Sequence, residues 1–92
     1  MRIPVTLPTL LAHCTGGARD VEVEAETLET CLDALLRRYP LLRPHLLDEA
    51  GNLRPHVNLF LNDQNARWID DWAGVRLAPG DTLTVIQAVS GG

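Results

Sequence analysis

Lysine is absent from this 92-residue sequence, and its eight basic residues are all arginines. With twelve acidic residues the formal net charge is -4, so no basic stripe is available to follow a phosphate backbone or an anionic lipid surface. We therefore expect neither nucleic acid nor a membrane as a partner. The absence of lysine also leaves no side chain to accept an isopeptide bond, only the N-terminal amine.

Long apolar runs are also missing, since none approaches the ~20 residues that cross a bilayer. The first residues, MRIPVTLPTLLAHC, contain one arginine and two prolines but no sustained apolar stretch, which is unlike a secretory signal. We expect a cytoplasmic protein. Aromatic residues make up only 4% of the sequence, yet 46% is hydrophobic and 22% charged, a mixture typical of one folded domain over residues 1–92.

Cysteine occurs twice, at Cys14 and Cys31, with neither a CxxC motif nor metal-ligand spacing. Cys31 falls on an apolar helical stripe and is expected to be buried as a thiol. Cys14 follows His13 in a glycine-rich loop, but adjacent side chains rarely point at each other, so we interpret the two as loop residues and not as a nucleophile and its base. We predict no metal site and assign no role to His45 or His56.

Apolar and polar residues alternate in several segments, which is the signature of half-buried strands. The first two, RIPVTL and DVEVEA, are joined through a Gly-Gly loop and predict an antiparallel hairpin with an acidic outer face, although Pro4 is unusual inside a strand. The remaining predicted strands are HVNLFLND, a very short one in ARWIDDW, and a last one from Leu83 to Ala88 after a Pro-Gly-Asp turn.

The hydrophobic period changes to that of a helix between Thr27 and Tyr39, with apolar residues at i, i+3, i+4, i+7, i+8 and i+11 from Leu28. Thr27 is the expected N-cap, and Pro40 ends the helix. Pro44 and Pro55 limit any further helix to a short turn around residues 45–48.

One helix laid across a mixed sheet of four to five strands predicts an α+β fold. The expected core between these two layers is Ile3, Val5, Leu7, Val21, Val23, Leu28, Leu32, Leu35, Val57, Leu59, Leu61, Leu83 and Val85. Phe60 and Ile86 point to the opposite, uncovered face of the sheet. Because exposed apolar patches usually mark interfaces, we expect Phe60, Ile86 and the adjacent Ala88 to dock a partner, with Asp70, Asp71 and Asp81 as flanking acids.

Three features carry a resemblance to a known family: the order of elements, VNLFLND in the middle and PGDTLTVIQAVSGG at the end. In these features the chain resembles the ubiquitin-like β-grasp sulfur carriers of the MoaD/ThiS family over nearly its whole length. The resemblance is greater to the longer MoaD-like carriers, including the carrier of an alternative cysteine biosynthesis route. It implies a flexible tail over residues 88–92 in which Ser90 and Gly91 thread into a narrow channel, where side chains would collide with the walls.

The same resemblance implies that Gly92 is the reacting residue. A separate activating enzyme uses ATP to adenylate its carboxylate, and sulfur then displaces AMP to leave a thiocarboxylate. The carrier would bind no cofactor, would carry only this covalent sulfur, and would be a cosubstrate and not an enzyme. The acceptor stays open: a pyridoxal-phosphate cysteine synthase, the large subunit of molybdopterin synthase, or an enzyme of secondary metabolism.

Two other functions remain open from the sequence. An adenylated Gly92 could instead be attacked by a lysine of another protein, which would make this chain a ubiquitin-like covalent modifier. A β-grasp binding module with an idle Gly-Gly tail is the third possibility. The first two begin with the same acyl adenylate, so the sequence does not separate them.

Overall fold

The computed structural model describes residues 1–87, which form one mixed sheet, one main helix and several short helical turns. The five strands are β1 (Arg2–Thr6), β2 (Asp20–Glu24), β3 (Val57–Leu61), β4 (Gln64–Asn65) and β5 (Leu83–Gln87), and the two α-helices are α1 (Leu28–Arg38) and α2 (Arg43–Leu46). No helix in this part of the chain has the length and hydropathy needed to span a bilayer.

The strands are arranged in the order β2-β1-β5-β3-β4. β1 and β2 form the predicted antiparallel hairpin, with Ile3 opposite Val23 and Val5 opposite Val21. β5 runs parallel to β1 and antiparallel to β3, so the last strand in the sequence is the central strand of the sheet. This topology, with α1 across one face, is the ubiquitin-like β-grasp, and the predicted α+β class is confirmed.

β1 is an interior strand in spite of Pro4, which has no N–H to donate. The ladder between β1 and β5 begins at Val5, opposite Leu83. Pro4 therefore lies just outside the residues of β1 that pair with β5, and its missing N–H interrupts no hydrogen bond between these two strands.

α1 begins where the sequence predicts, because Thr27 caps it. The Thr27 hydroxyl accepts a hydrogen bond from the Thr30 backbone N–H at 3.2 Å, and the Thr30 hydroxyl accepts one from the Thr27 N–H at 2.9 Å. This reciprocal capping box satisfies two N–H groups that a helix start leaves without partners. The helix ends at Arg38, before Pro40.

The core lies between α1 and the sheet, and every residue of the predicted core is buried. Further buried residues come from the short helical turns and loops: Leu11, Cys14, Leu42, Leu46, Leu47, Ala66 and Leu77. The turns therefore bury the ends of the core in addition to connecting the strands.

Three connections differ from the sequence-based predictions. The loop after β1 contains a 3₁₀ helix, Thr9–Thr15, which is held by a hydrogen bond from the Gly17 N–H to the Ala12 carbonyl. α2 begins at Arg43, two residues before the predicted turn, because proline is tolerated in a first helical turn and Pro44 occupies that place. The predicted short strand in ARWIDDW is wrong.

That segment forms two 3₁₀ turns, Ala66–Trp68 and Trp72–Gly74, and the short strand β4 precedes it. Asn65 explains why β4 ends and the first 3₁₀ turn begins at this point. Its side chain accepts a hydrogen bond from the Arg67 N–H at 2.9 Å and so caps the turn. A local side-chain bond thus competes successfully with strand formation.

The Pro-Gly-Asp turn before β5 is a tight turn locked by its own aspartate. The Asp81 N–H donates to the Ala78 carbonyl at 3.0 Å, and Gly80 has φ +92°, as a type II turn with proline in second place requires. The turn also binds the β3–β4 turn, because Asn62 donates to Asp81 at 3.0 Å and accepts from the Thr82 N–H at 3.0 Å. The start of β5 is therefore fixed.

Candidate docking face and carrier tail

β5 is the element that leads to the C-terminal residues, and both of its neighbours hold it. β1 pairs with Leu83 and Thr84, and β3 pairs with all five residues from Leu83 to Gln87, which lies opposite Val57. Whatever follows Gln87 in the chain therefore begins from the fixed centre of the sheet. Ala88, Ser90, Gly91 and Gly92, which carry the predicted tail chemistry, lie outside the described residues.

Phe60 and Ile86 lie on the sheet face that α1 does not cover. Phe60 is opposite Thr84, and Ile86 is two residues further along β5, opposite Asn58. The two apolar side chains are thus diagonal neighbours on adjacent strands, within reach of each other. Ile86 is 44% exposed and Phe60 is partly buried, which leaves a small apolar surface beside the end of β5.

The opposite edge of this face is acidic, as the alternation in DVEVEA predicts, since Asp20, Glu22 and Glu24 are all exposed on β2. The N-terminal ammonium donates to Glu24 at 3.0 Å, and Arg2 lies 3.7 Å from its other carboxylate oxygen. This hydrogen bond and the charge of the ammonium hold the pKa of Glu24 below its usual value, with a smaller effect from Arg2. The carboxylate therefore stays ionised into mildly acidic solution.

The three acids predicted to flank the docking patch have different positions. Asp81 is part of the turn before β5, where the hydrogen bond from Asn62 and then the one from the Ala78 N–H lower its pKa. Asp70 and Asp71 are in the connection between the two 3₁₀ turns, and Asp71 has a left-handed backbone with φ +55°. The acids that share the uncovered sheet face are instead those of β2.

Two residues of ARWIDDW contribute features that the sequence patterns did not single out. Arg67 donates to the backbone carbonyls of Arg54, at 3.1 Å, and Val57, and so joins the turn after β4 to the start of β3. Trp68 is 78% exposed in the same turn, next to the edge of the sheet. The sequence draws attention to both tryptophans, because the chain has few aromatic residues. Only the fold shows that Trp68 is exposed while Trp72 is partly buried.

The structure differs from one part of the expectation for His13 and Cys14, since their side chains do face each other; their interpretation as loop residues and not as a nucleophile and its base stays a prediction. The Cys14 sulfur lies 3.4 Å from Nε2 of His13, within sulfur hydrogen-bond distance. The exposed imidazole of His13 therefore lies against the buried Cys14 side chain, although the two residues are adjacent in sequence. Cys31, in contrast, is fully buried as predicted, and burial raises the pKa of its thiol to about 11.

A mixed sheet with a central last strand, one covering helix and an uncovered face defines a ubiquitin-like β-grasp protein. The ThiS family model matches residues 5–92. The chain belongs to the ThiS family: it is a CysO-like sulfur carrier, which donates sulfur as a thiocarboxylate and is not an enzyme.

The relatives cover the chain at full length. The sulfur carrier protein CysO of Mycobacterium tuberculosis is 33% identical over 94 aligned residues that span 100% of both chains. A chain of the Amycolatopsis orientalis BexX/CysO complex has a TM-score of 0.84 at 31% identity and covers 98% of this chain and 99% of that one. SAMP1 from Haloferax volcanii has a TM-score of 0.83 at 29% identity and covers 100% of both chains.

Proposed function

We propose that Gly92 is the residue that carries the sulfur and that a separate activating enzyme loads it. The observation that carries this proposal is the family match over residues 5–92, which includes Gly91 and Gly92. The position of β5 supports it, because a tail that follows a strand fixed on both sides is presented at a constant place on the carrier. Partner enzymes would bind the surface of the folded domain, while the tail reacts.

The chemistry needs no catalytic group on this chain. The Gly92 carboxylate oxygen attacks the α-phosphorus of ATP in the activating enzyme, pyrophosphate leaves, and the carboxyl becomes an acyl adenylate. A sulfide-equivalent nucleophile then attacks the carbonyl carbon and AMP leaves, so the product is a thiocarboxylate. Two glycines suit this step because a chain without side chains fits a narrow channel.

Docking is assigned to the apolar surface formed by Phe60 and Ile86, extended by Ala88. Its size suits a small central anchor, and interfaces draw most of their energy from a few such residues. The acids of β2 would orient the carrier toward a basic partner surface and raise the association rate. The CysO chain crystallised with BexX is similar to this one, which supports a partner enzyme as the occupant of the surface.

The sulfur acceptor is proposed to be a pyridoxal-phosphate enzyme that makes cysteine, in keeping with the likeness to CysO carriers. Molybdopterin synthase and an enzyme of secondary metabolism are the competing acceptors. Incubating the loaded carrier with each purified candidate, and measuring which one removes the sulfur, decides among the three.

Loading is tested by intact-mass spectrometry after incubation with the activating enzyme, ATP and sulfide. The expected gain is the difference between one sulfur and one oxygen atom, and it should require ATP. A persulfide on Cys14 or Cys31 would instead add a whole sulfur atom and would disappear on reduction. A reductant-sensitive gain, or no gain at all, would overturn the proposal.

A covalent modifier is the second candidate, and the similarity to SAMP1, a small archaeal modifier protein, specifically favours it. The lysine-free sequence makes this test clean, because the chain offers no lysine for branching onto itself. Tagged carrier expressed in its host should be isolated and digested. Branched peptides bearing the Gly92 carbonyl on a lysine of another protein would establish conjugation, and their absence beside detectable thiocarboxylate would exclude it as the main fate.

A further inference from the structure

Three potential metal ligands converge on the surface at one end of the sheet. His13 and Cys14 lie on the 3₁₀ helix Thr9–Thr15, and His45 lies on α2. One ligand atom from each residue falls within 4.8 Å of the other two, and the imidazole rings of His13 and His45 are 5.7 Å apart and nearly perpendicular. Residues that are 31 or more positions apart in sequence are therefore brought together by tertiary structure alone.

The backbone around these three side chains is well anchored. Leu11 and Leu46, each a near neighbour in sequence of one of the histidines, are 1% and 0% exposed. The Thr15 hydroxyl donates to the Ala12 carbonyl at 3.1 Å and so fixes the end of the 3₁₀ helix. On the other side, Arg54 donates to the Pro44 carbonyl at 2.7 Å, which fixes α2. The three side chains are therefore carried by two segments, the 3₁₀ helix and α2, that are packed on the core.

The spacing and the ligand types fit a zinc ion. With Zn–S about 2.3 Å and Zn–N about 2.1 Å, neighbouring ligands of a tetrahedral site lie roughly 3.3–3.7 Å apart. The Cys14 sulfur and His13 Nε2 already have this separation at 3.4 Å. The ligand atom of His45 lies within 4.8 Å of the other two, so its ring would have to move by about one ångström to reach the same separation. Thiolate with imidazole is a ligand set that selects zinc and related borderline or soft metals over Mg²⁺ or Ca²⁺.

We propose that His13, Cys14 and His45 form a three-ligand zinc site with an exchangeable fourth position. The gradient of burial supports an open site, because Cys14 is buried, His45 partly buried and His13 exposed. Water or another donor can therefore approach from the His13 side. Binding would displace the Cys14 thiol proton to the solvent and would clip the 3₁₀ helix to α2.

The site lies at the end of the sheet where β5 finishes. β1 runs parallel to β5 and leads directly into the 3₁₀ helix that bears His13 and Cys14. α2 is joined to the segment before β3 by a hydrogen bond from the Arg54 N–H to the Leu46 carbonyl at 3.0 Å, and Val57 of β3 is opposite Gln87. Zinc binding at this end of the sheet does not depend on sulfur loading.

The test uses the full chain freed of metal with a chelator and then titrated with Zn²⁺ in competition with a chromophoric chelator. We expect one equivalent to bind and the thermal midpoint to rise. Co²⁺ in place of zinc should give a thiolate-to-metal charge-transfer band. Because even groups that only orient a ligand contribute about 10–100-fold to metal affinity, H13Q, C14S and H45Q should each weaken binding by about 100-fold or more.

H56Q is the matched control, since His56 is partly buried but does not belong to the cluster. It should bind zinc like the wild type. His13 is exposed, so H13Q should fold even if C14S does not, and circular dichroism verifies this for each variant. Binding well below one equivalent, unchanged affinity in H13Q, or equal weakening by H56Q would each overturn the site and leave only a thiol–imidazole hydrogen bond.

Discussion

The two faces of the sheet are made from the same strands but have opposite characters. On the face toward α1, Ile3, Val5, Leu59, Leu83 and Val85 are at most 2% exposed. On the other face, the alternate residues of the same strands include exposed acids, Arg2, Pro4 and the Phe60–Ile86 surface. The difference shows that one face packs into the core while the other stays in contact with solvent.

This division suits a carrier, because a partner enzyme could bind the uncovered face without disturbing the core. A substitution on the covered face should change stability first, and one on the uncovered face or in the tail should change transfer first. The predictions below test that separation, from the largest expected effect to the smallest.

Deletion of Gly92 should abolish sulfur loading, because it removes the carboxyl group proposed to react. Stability should stay within about 0.5 kcal/mol of the wild type, as for changes remote from packed features. Intact-mass spectrometry and thermal unfolding measure the two effects on the same sample. A truncated chain that gains sulfur as readily as the full-length one would refute the role of Gly92.

L35A should lower the free energy of unfolding by about 2–5 kcal/mol, because Leu35 is fully buried between α1 and the sheet and truncation leaves a cavity. Leu41 is the control, since it is 65% exposed and L41A should stay within about 0.5 kcal/mol. Urea unfolding compares the two. Equal stability of both variants would show that the covered face is wrongly assigned.

F60A should weaken binding to the activating enzyme by about 1–3 kcal/mol while the fold is retained, as expected of an interface anchor. L10A is the control, because Leu10 is 59% exposed but lies on the 3₁₀ helix and not on the sheet. Titration calorimetry measures both affinities. If F60A binds like the wild type, or L10A loses as much, the docking surface lies elsewhere.

Acidification should remove a small part of the stability through Glu24 and Asp81. The folded pKa of each carboxyl lies below its unfolded value, so the contribution is present above the unfolded pKa, near about 4, and is lost as the pH falls through the folded pKa. Glu24 is exposed and Asp81 only partly buried, so the change should be modest. The E24Q/D81N variant should show a flatter dependence of thermal midpoint on pH below about 5; a slope identical to the wild type would contradict it.

Local signals in the sequence determined the covered face and the main helix. The change of hydrophobic period at Thr27, the threonine cap and Pro40 define α1, and alternation defines β1, β2, β3 and β5, because these features depend on residues a few positions apart. The terminal glycines and the order of elements were enough to indicate the family. The short strand was misplaced because a side-chain bond from Asn65, which no periodicity reveals, starts a turn there.

Only the tertiary structure decided how distant segments meet. It placed β5 between β1 and β3, made Phe60 and Ile86 diagonal neighbours, and exposed Trp68 while burying part of Trp72. It also brought His45 to His13 and Cys14, whose spacing matches no ligand motif. Such contacts arise from strand pairing and from packing of short helices on a shared core, and these long-range choices leave no periodic trace in the sequence.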